Sequence, residues 1–240
     1  MLNPLLQPGT KLDIKIVGAG GVASYLCNHS WLALLTQKFP NSCITVLDKD
    51  NLEERNFSRQ DFAIDSNGNK AAALVEKLTK DPRYGNLTFK AVRDWLSPEN
   101  VESQILDGCI VMCCADGNSI KKLLSDRLED LNEGTLIVGA NGEYTTTTLV
   151  YLRRYGKDLN KPLTYGRPEI SNPQDRPAWE MSCEEAAITG NAQTAFANED
   201  VAIQMKNFFH LLTRVDQLSY DEVRSNVLAN TRYTLANKLR

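Results

Sequence analysis

The chain has 240 residues, of which 42% are hydrophobic and 24% charged, with a formal net charge of −3. That suits one large or two small globular domains with ample core, and without a basic run it gives nucleic acid no electrostatic reason to bind. No apolar run approaches the length of a membrane span, and the opening MLNPLLQPGTKLD lacks the regions of a secretory signal, so a cytoplasmic protein is expected.

In chain order, Ile14 to Val17 reads as a buried strand running into a glycine turn, Gly18, Gly20 and Gly21, and then a helix from about Val22 to Gln37. The spacing is G-x-G-x-x-A, with Ala23 in the third small position. The first glycine permits a tight turn, the second lets backbone approach a phosphate, and the small third residue lets helix pack on strand. On its own the turn is compatible with a dinucleotide site, a mononucleotide site, or close strand–helix packing alone.

Cys43 to Asp50 (CITVLDKD) is a second buried strand ending in acid, followed by the polar segment Asn51 to Phe62. Asn67-Gly68-Asn69 opens a helix, Lys70 to Lys80, stopped by Asp81-Pro82. Leu87 to Val92 is a third strand, and Leu96 to Leu106 a short helix opened by Ser97-Pro98-Glu99. Gly108 to Asp116 (GCIVMCCAD) is a fourth strand, Ile120 to Leu131 a helix, and Thr135 to Ala140 a fifth strand. This alternation predicts an α/β fold, a Rossmann-like, mainly parallel sheet with helices on both faces.

After Gly142 the character changes. Thr145 to Tyr155 has strong β propensity and reads as an antiparallel strand, and Gly156 to Ser182 as a long loop. Glu184 to Leu212 reads mainly as helix with a break near Gly190, and Tyr220 to Leu239 contains a strand-like portion. The whole chain is expected to form one domain, with residues 1–142 as a nucleotide-binding half and 143–240 as a partner-docking half.

The candidate chemistry gathers where predicted strands end. In open parallel sheets ligands bind at that edge, and Gly18, Asp48 and Asp116 all fall there. An acid at Asp48, 30 residues after Gly18, suits a ribose hydroxyl, with a solvated turn acid as the alternative. Asn56, Arg59 and Gln60 follow, and Lys70 opens the next helix. Together they suit more negative charge than a pyrophosphate carries, because Arg offers a planar fork and Lys a point charge. The joint pattern favours ATP with Mg²⁺, and Asp116 in CADGN is the candidate metal ligand.

At these residues, GAGGVA, LDKDNLEERNFSRQ, GNKA and CADGN, the sequence resembles the ubiquitin-activating E1 superfamily of ThiF/MoeB type, and within it most resembles the ThiF-related members of PRTRC cassettes. Met181 to Leu212 is similar to the cysteine-containing crossover loop and following helix of those proteins. The resemblance implies an E1/ThiF-type fold and ATP-dependent adenylation of the C-terminal carboxylate of a small ubiquitin-like or sulfur-carrier-like protein, with release of pyrophosphate. By the same resemblance Gly18, Gly20 and Gly21 cradle phosphates, Asp48 and Asp50 belong to the nucleotide site, and Asn56, Arg59, Gln60 and Lys70 bind the nucleotide. Arg59 and Lys70 also stabilise charge on the leaving group, and Asp116 holds Mg²⁺. A homodimer and an E2-like partner are further expectations of the family.

Cys183 matches the position where some relatives carry a cysteine that takes the activated partner covalently; the alternative is a loop or cap residue. The other five cysteines read as small buried hydrophobes, and with no C-x-x-C and two histidines a structural zinc is not expected. The family's N-terminal arginine, which reaches the partner subunit's nucleotide site, has no counterpart in the eleven residues before Leu12. Arg55, Arg153 and Arg154 are the candidates for its work. The glycine turn and Asp48 alone also permit an NAD-dependent oxidoreductase, and a non-catalytic nucleotide-binding adaptor is the other reading.

Overall fold

The computed structural model describes residues 4–54, 68–180 and 194–236. Among them, nine strands form one sheet. The parallel strands are β1 (Asp13–Val17), β2 (Cys43–Leu47), β3 (Thr88–Val92), β4 (Ile110–Cys113) and β5 (Gly134–Asn141). The antiparallel ones are β6 (Thr145–Arg154), the short β7 (Lys157–Asp158), β8 (Glu222–Asn226) and β9 (Thr231–Leu235). The order is β3-β2-β1-β4-β5-β6-β8-β9, with β7 pairing β6 off that path. The order reverses between β1 and β4, which is the switch point where such sheets open a crevice.

Residues alternate across the sheet and feed two cores. Ile14, Ile16, Ile44, Val46, Ile110, Met112 and Ile137 pack on one face. That face is covered by α1 (Gly21–Leu26), α2 (His29–Lys38), α3 (Lys70–Thr79) and α7 (Ala195–Leu212). Val17, Leu47, Val111, Cys113, Leu136, Val138 and Tyr151 pack on the other face, beneath α4 (Val101–Gln104), α5 (Asn118–Glu129) and α6 (Pro168–Ser171). In α7 the buried side chains Val201, Met205, Phe208 and Leu212 recur at helical spacing. Phe209 meets Trp31 edge to face at 5.7 Å between ring centroids.

The α/β architecture and the antiparallel reading of β6 agree with the sequence. Several boundaries differ. The helix expected over Val22 to Gln37 is two helices, because Asn28 takes an extended backbone and restarts the turn at His29. The helix expected over Leu96 to Leu106 shrinks to Val101–Gln104. There the Asn100 side chain accepts from Ser97 N–H and donates to Trp95 C=O, a local bonding pattern that competes with helix. The expected loop from Gly156 contains β7, α6 and a 3₁₀ turn at Ala178–Glu180, and a buried ion pair from Arg167 to Glu222 (2.7 Å) pins it to the sheet. The tail is a hairpin, β8–β9. Residues 181–193, which include Cys183 and the first part of the expected helix, lie outside the described residues.

Candidate functional site

The glycine turn leaves β1 at the switch point. Gly18 has φ +88°, a conformation that favours glycine, and a Cβ there would stand 2.9 Å from the Ala115 backbone. The turn after β1 and the CADGN loop after β4 are thus packed backbone to backbone, with Asp116 one residue beyond the contact. Gly20 differs. Nothing lies within 4 Å of a Cβ built on it, and it stands at the start of α1 with no side chain capping the helix. Open space at a helix N-terminus whose N–H groups have no side-chain cap is room an anion could take. Gly21 is occupied differently again: a Cβ there would come within 2.2 Å of Asn198 of α7, so its smallness admits that side chain. Asn198 in turn accepts a hydrogen bond from Asn141, at the end of β5 (2.9 Å).

Asp48 ties two turns together. Its Oδ2 accepts from Ala19 N–H at 2.6 Å, inside the glycine turn, and its Oδ1 accepts from Asp50 N–H at 2.8 Å. The side chain is buried, and burial pushes its carboxyl up to about 6; Lys70 and the two backbone N–H groups oppose the shift without cancelling it. Asp50 and Lys70 form an ion pair of 2.9 Å, and Lys70 N–H donates to Asp50 C=O at 2.8 Å.

Asn69 completes the corner. Its amide donates to Asp48 C=O (2.7 Å) and Asp50 C=O (3.1 Å), and its oxygen caps α3 through Ala72 N–H (3.0 Å). The sequence marked Asn69 as a helix opener; its hold on the turn after β2 is a longer-range contact that local pattern does not show.

Asp116 is exposed, just beyond β4. The start of α5 beside it is already supplied with an acid: Asp175 Oδ2 accepts from Ser119 N–H at 3.1 Å, and Ser119 Oγ donates to Asp175 C=O at 3.0 Å. No local pattern marks Asp175, which reaches α5 from 56 residues away. Among the described residues no group of three or more His, Cys, Asp or Glu side chains could hold a metal. Asp116 is a carboxylate at this edge that could hold a Mg²⁺, an ion commonly bound through one or two carboxylates together with phosphate oxygens.

Gly18, Gly20, Asp48, Asp50, Lys70 and Asp116 thus gather at one edge of the sheet. Arg55, Asn56, Arg59 and Gln60 lie outside the described residues, as does Cys183. Arg153 and Arg154 stand at the opposite edge, where β6 pairs with the start of β5. Arg153 pairs with Asp158 (2.5 Å) and Arg154 with Glu133 (3.3 Å), so neither supplies charge to the glycine turn of its own chain. Cys27, Cys109, Cys113 and Cys114 are buried, as expected, and Cys43 is partly so. Burial raises the thiols of Cys27 and Cys109 to about 12 and Cys113 to about 11, and pushes Cys114 well up, which makes all four poor nucleophiles.

Solved structures share this architecture. E. coli MccB with ATP superposes with a TM-score of 0.71 at 15% identity, covering 97% of this chain and 65% of MccB. The fold is of the E1/ThiF type. The microcin C7 biosynthetic enzyme MccB in complex with N-formylated MccA gives 0.70 at 15% identity, covering 95% and 65%. PaaA gives 0.65 at 13% identity, with the same coverages of 95% and 65%. The chain spans just under two thirds of the length of these proteins. No protein-family model matches the chain, and no curated protein matches it in sequence. No helix among the described residues is long and apolar enough to cross a membrane.

Proposed function

We propose that the chain adenylates the C-terminal carboxylate of a small protein or peptide at the expense of ATP. The observation that carries this reading is the corner at the switch point: open space over Gly20, with Asp48, Lys70 and Asp116 on the same sheet edge. MccB, with the same fold, has been crystallised with ATP and with AMPCPP plus MccA, which supports a nucleotide and a peptide-like partner here. The PRTRC-type resemblance favours a ubiquitin-like or sulfur-carrier-like protein as that partner.

In this reading a carboxylate oxygen of the partner attacks the α-phosphorus. The bond from the α-phosphorus to the bridging oxygen breaks, and pyrophosphate leaves with that bond's electron pair. The nucleophile arrives already ionised, so no side-chain base is required, and catalysis is positioning plus charge neutralisation. Gly18 and Gly20 shape the phosphate cradle, and Gly21 sets it against α7. Asp48 and Asp50 organise the ribose side. Lys70 exchanges its Asp50 partner for phosphate oxygens, and Arg59, Asn56 and Gln60 add donors. Asp116 holds Mg²⁺, whose chemistry is to neutralise phosphate charge. Cys183 is the candidate acceptor for a thioester with the activated partner. The chain acts as one E1/ThiF-like domain in the cytoplasm, as a homodimer, and passes the product to an E2-like or sulfur-transfer partner.

The test is ATP–pyrophosphate exchange with candidate small proteins ending in glycine. Exchange that falls at least tenfold in Asp116→Ala and Lys70→Met is the expected result. ATP binding without exchange in the presence of the cognate partner selects the adaptor reading instead. If Cys183→Ala leaves both adenylation and downstream transfer unchanged, the covalent role is wrong.

A further inference from the structure

Among the described residues, buried cations are matched by acids with one exception. Lys15 pairs with Asp13 at 3.1 Å and Arg167 with Glu222 at 2.7 Å. Lys121, 8% exposed, has no carboxylate of the described residues at ion-pair distance; its ammonium donates to the side-chain oxygen of Asn118 at 3.1 Å. Its neighbour behaves in the ordinary way: Lys122 is more open and pairs with Asp126, four residues on. Asp175, which caps the same helix, bonds Ser119 N–H rather than Lys121.

Taking a charge out of water without an opposite charge is costly. The position adds to the cost. Lys121 stands in the first turn of α5, where the helix dipole favours anions and opposes cations. It also takes the first place of a buried stripe that continues with Leu124 and Leu128 in the core.

Helical side chains lean toward the helix N-terminus, and the bond to Asn118 shows that Lys121 does so. The ammonium therefore lies toward the carboxyl edge of the sheet, beside the loop that carries Asp116. Its charge is felt at Cys113, the last residue of β4. α5 covers the sheet face opposite to α1 and α3. Lys70 thus comes to the switch point from one face and Lys121 from the other. In an in-line displacement the attacking and leaving oxygens stand on opposite sides of the phosphorus. With Lys70 and the α1 N-terminus on the phosphate side, Lys121 is the cation on the side of the nucleophile.

We propose that Lys121 receives the C-terminal carboxylate of the partner protein. Its ammonium holds one carboxylate oxygen while the other bonds to the α-phosphorus, and pyrophosphate leaves with the electron pair of the broken bond. The role depends on the adenylation reading, within which no other side chain has been given the carboxylate.

The test uses the full chain and the small glycine-ending protein that supports ATP–pyrophosphate exchange. Lys121→Met is expected to raise the KM for that protein about tenfold or more, with a smaller change in kcat and an ATP affinity within about twofold of the parent. Lys121→Arg keeps the charge and is expected to restore most of the loss. A second measurement compares that protein with its C-terminal carboxamide form, binding in the presence of AMPCPP. The parent chain should prefer the carboxylate, and Lys121→Met should bind both forms alike. Removing a buried charge that has no acid partner is also expected to raise the urea midpoint. Lys121→Gln, which keeps a donor for Asn118, gives the same kinetic readout if the methionine chain does not fold. An unchanged KM in these variants, or an undiminished preference for the carboxylate, overturns the proposal; an unchanged KM with a lowered urea midpoint marks a structural lysine. Absence of exchange by the parent chain with every candidate protein overturns the adenylation reading itself, and this role with it.

Discussion

At the carboxyl edge of the parallel strands, one carboxylate, Asp48, bridges two turns, and one amide, Asn69, joins that bridge to α3. Where α7 lies on the antiparallel strands, five polar side chains share the same work. Thr146, Ser225 and Gln204 all bond Asp200 Oδ2, at 2.8, 2.5 and 2.6 Å, and Arg232 bonds its other oxygen. Thr146 and Ser225 also bond each other at 2.6 Å. The first arrangement is sparse and the second redundant. A sparse junction leaves orphaned backbone groups when one member is lost, and that is also what makes it adjustable when a ligand arrives. A redundant one spreads the loss, as befits a region that only has to hold a helix in place.

The comparison is sharpest at Asp48. Asp48→Ala strands the N–H groups of Ala19 and Asp50, and is expected to cost about 2–4 kcal/mol in urea unfolding. It should also abolish measurable ATP binding. Asn69→Ala, which loses a cap and two turn contacts, is expected to cost about 1–2 kcal/mol in the same assay. Asp200→Asn is the contrast from the redundant region. It keeps an acceptor for the cluster, and a loss below about 1 kcal/mol is expected. If Asp200→Asn costs more than Asp48→Ala, the distinction between the two regions fails.

The same acid should also leave a pH signature. The Asp48 carboxyl is raised from 3.8 to about 6 in the folded chain. The folded state therefore holds the proton more tightly than the unfolded one, and stability attributable to this group falls as pH rises from about 4 to about 6. Subtracting the Asp48→Asn profile from that of the parent, by thermal melting across this range, should expose the slope. A difference that is flat, or that rises with pH, contradicts the buried-acid account.

Much of the parallel half was legible in the sequence. Short apolar runs bounded by turn residues gave β1, β2, β4 and β5, and their ends gave Gly18, Asp48 and Asp116. Lys70 was legible as the first residue of a helix. What local pattern could not show was the company these residues keep. Gly21 reads as a phosphate-loop glycine, yet its neighbour is Asn198, 177 positions later. The anchoring of α5 by Asp175 and of the 156–180 segment by Arg167 to Glu222 likewise depends on pairings between distant residues. The break at Asn28 arises where its backbone turns extended, and the shortened α4 where the Asn100 side chain bonds the backbone of Ser97 and Trp95 in place of a helical turn.

The central claim is that the corner built by Gly18, Gly20, Asp48, Lys70 and Asp116 receives ATP with Mg²⁺. Calorimetric titration of the full chain with ATP·Mg²⁺ and with NAD, side by side, tests it most directly. The account predicts saturable ATP binding, weakened at least tenfold by Lys70→Met and made less dependent on Mg²⁺ by Asp116→Ala, with no comparable NAD binding. Tight NAD binding without ATP binding, or ATP binding indifferent to both substitutions, would contradict it.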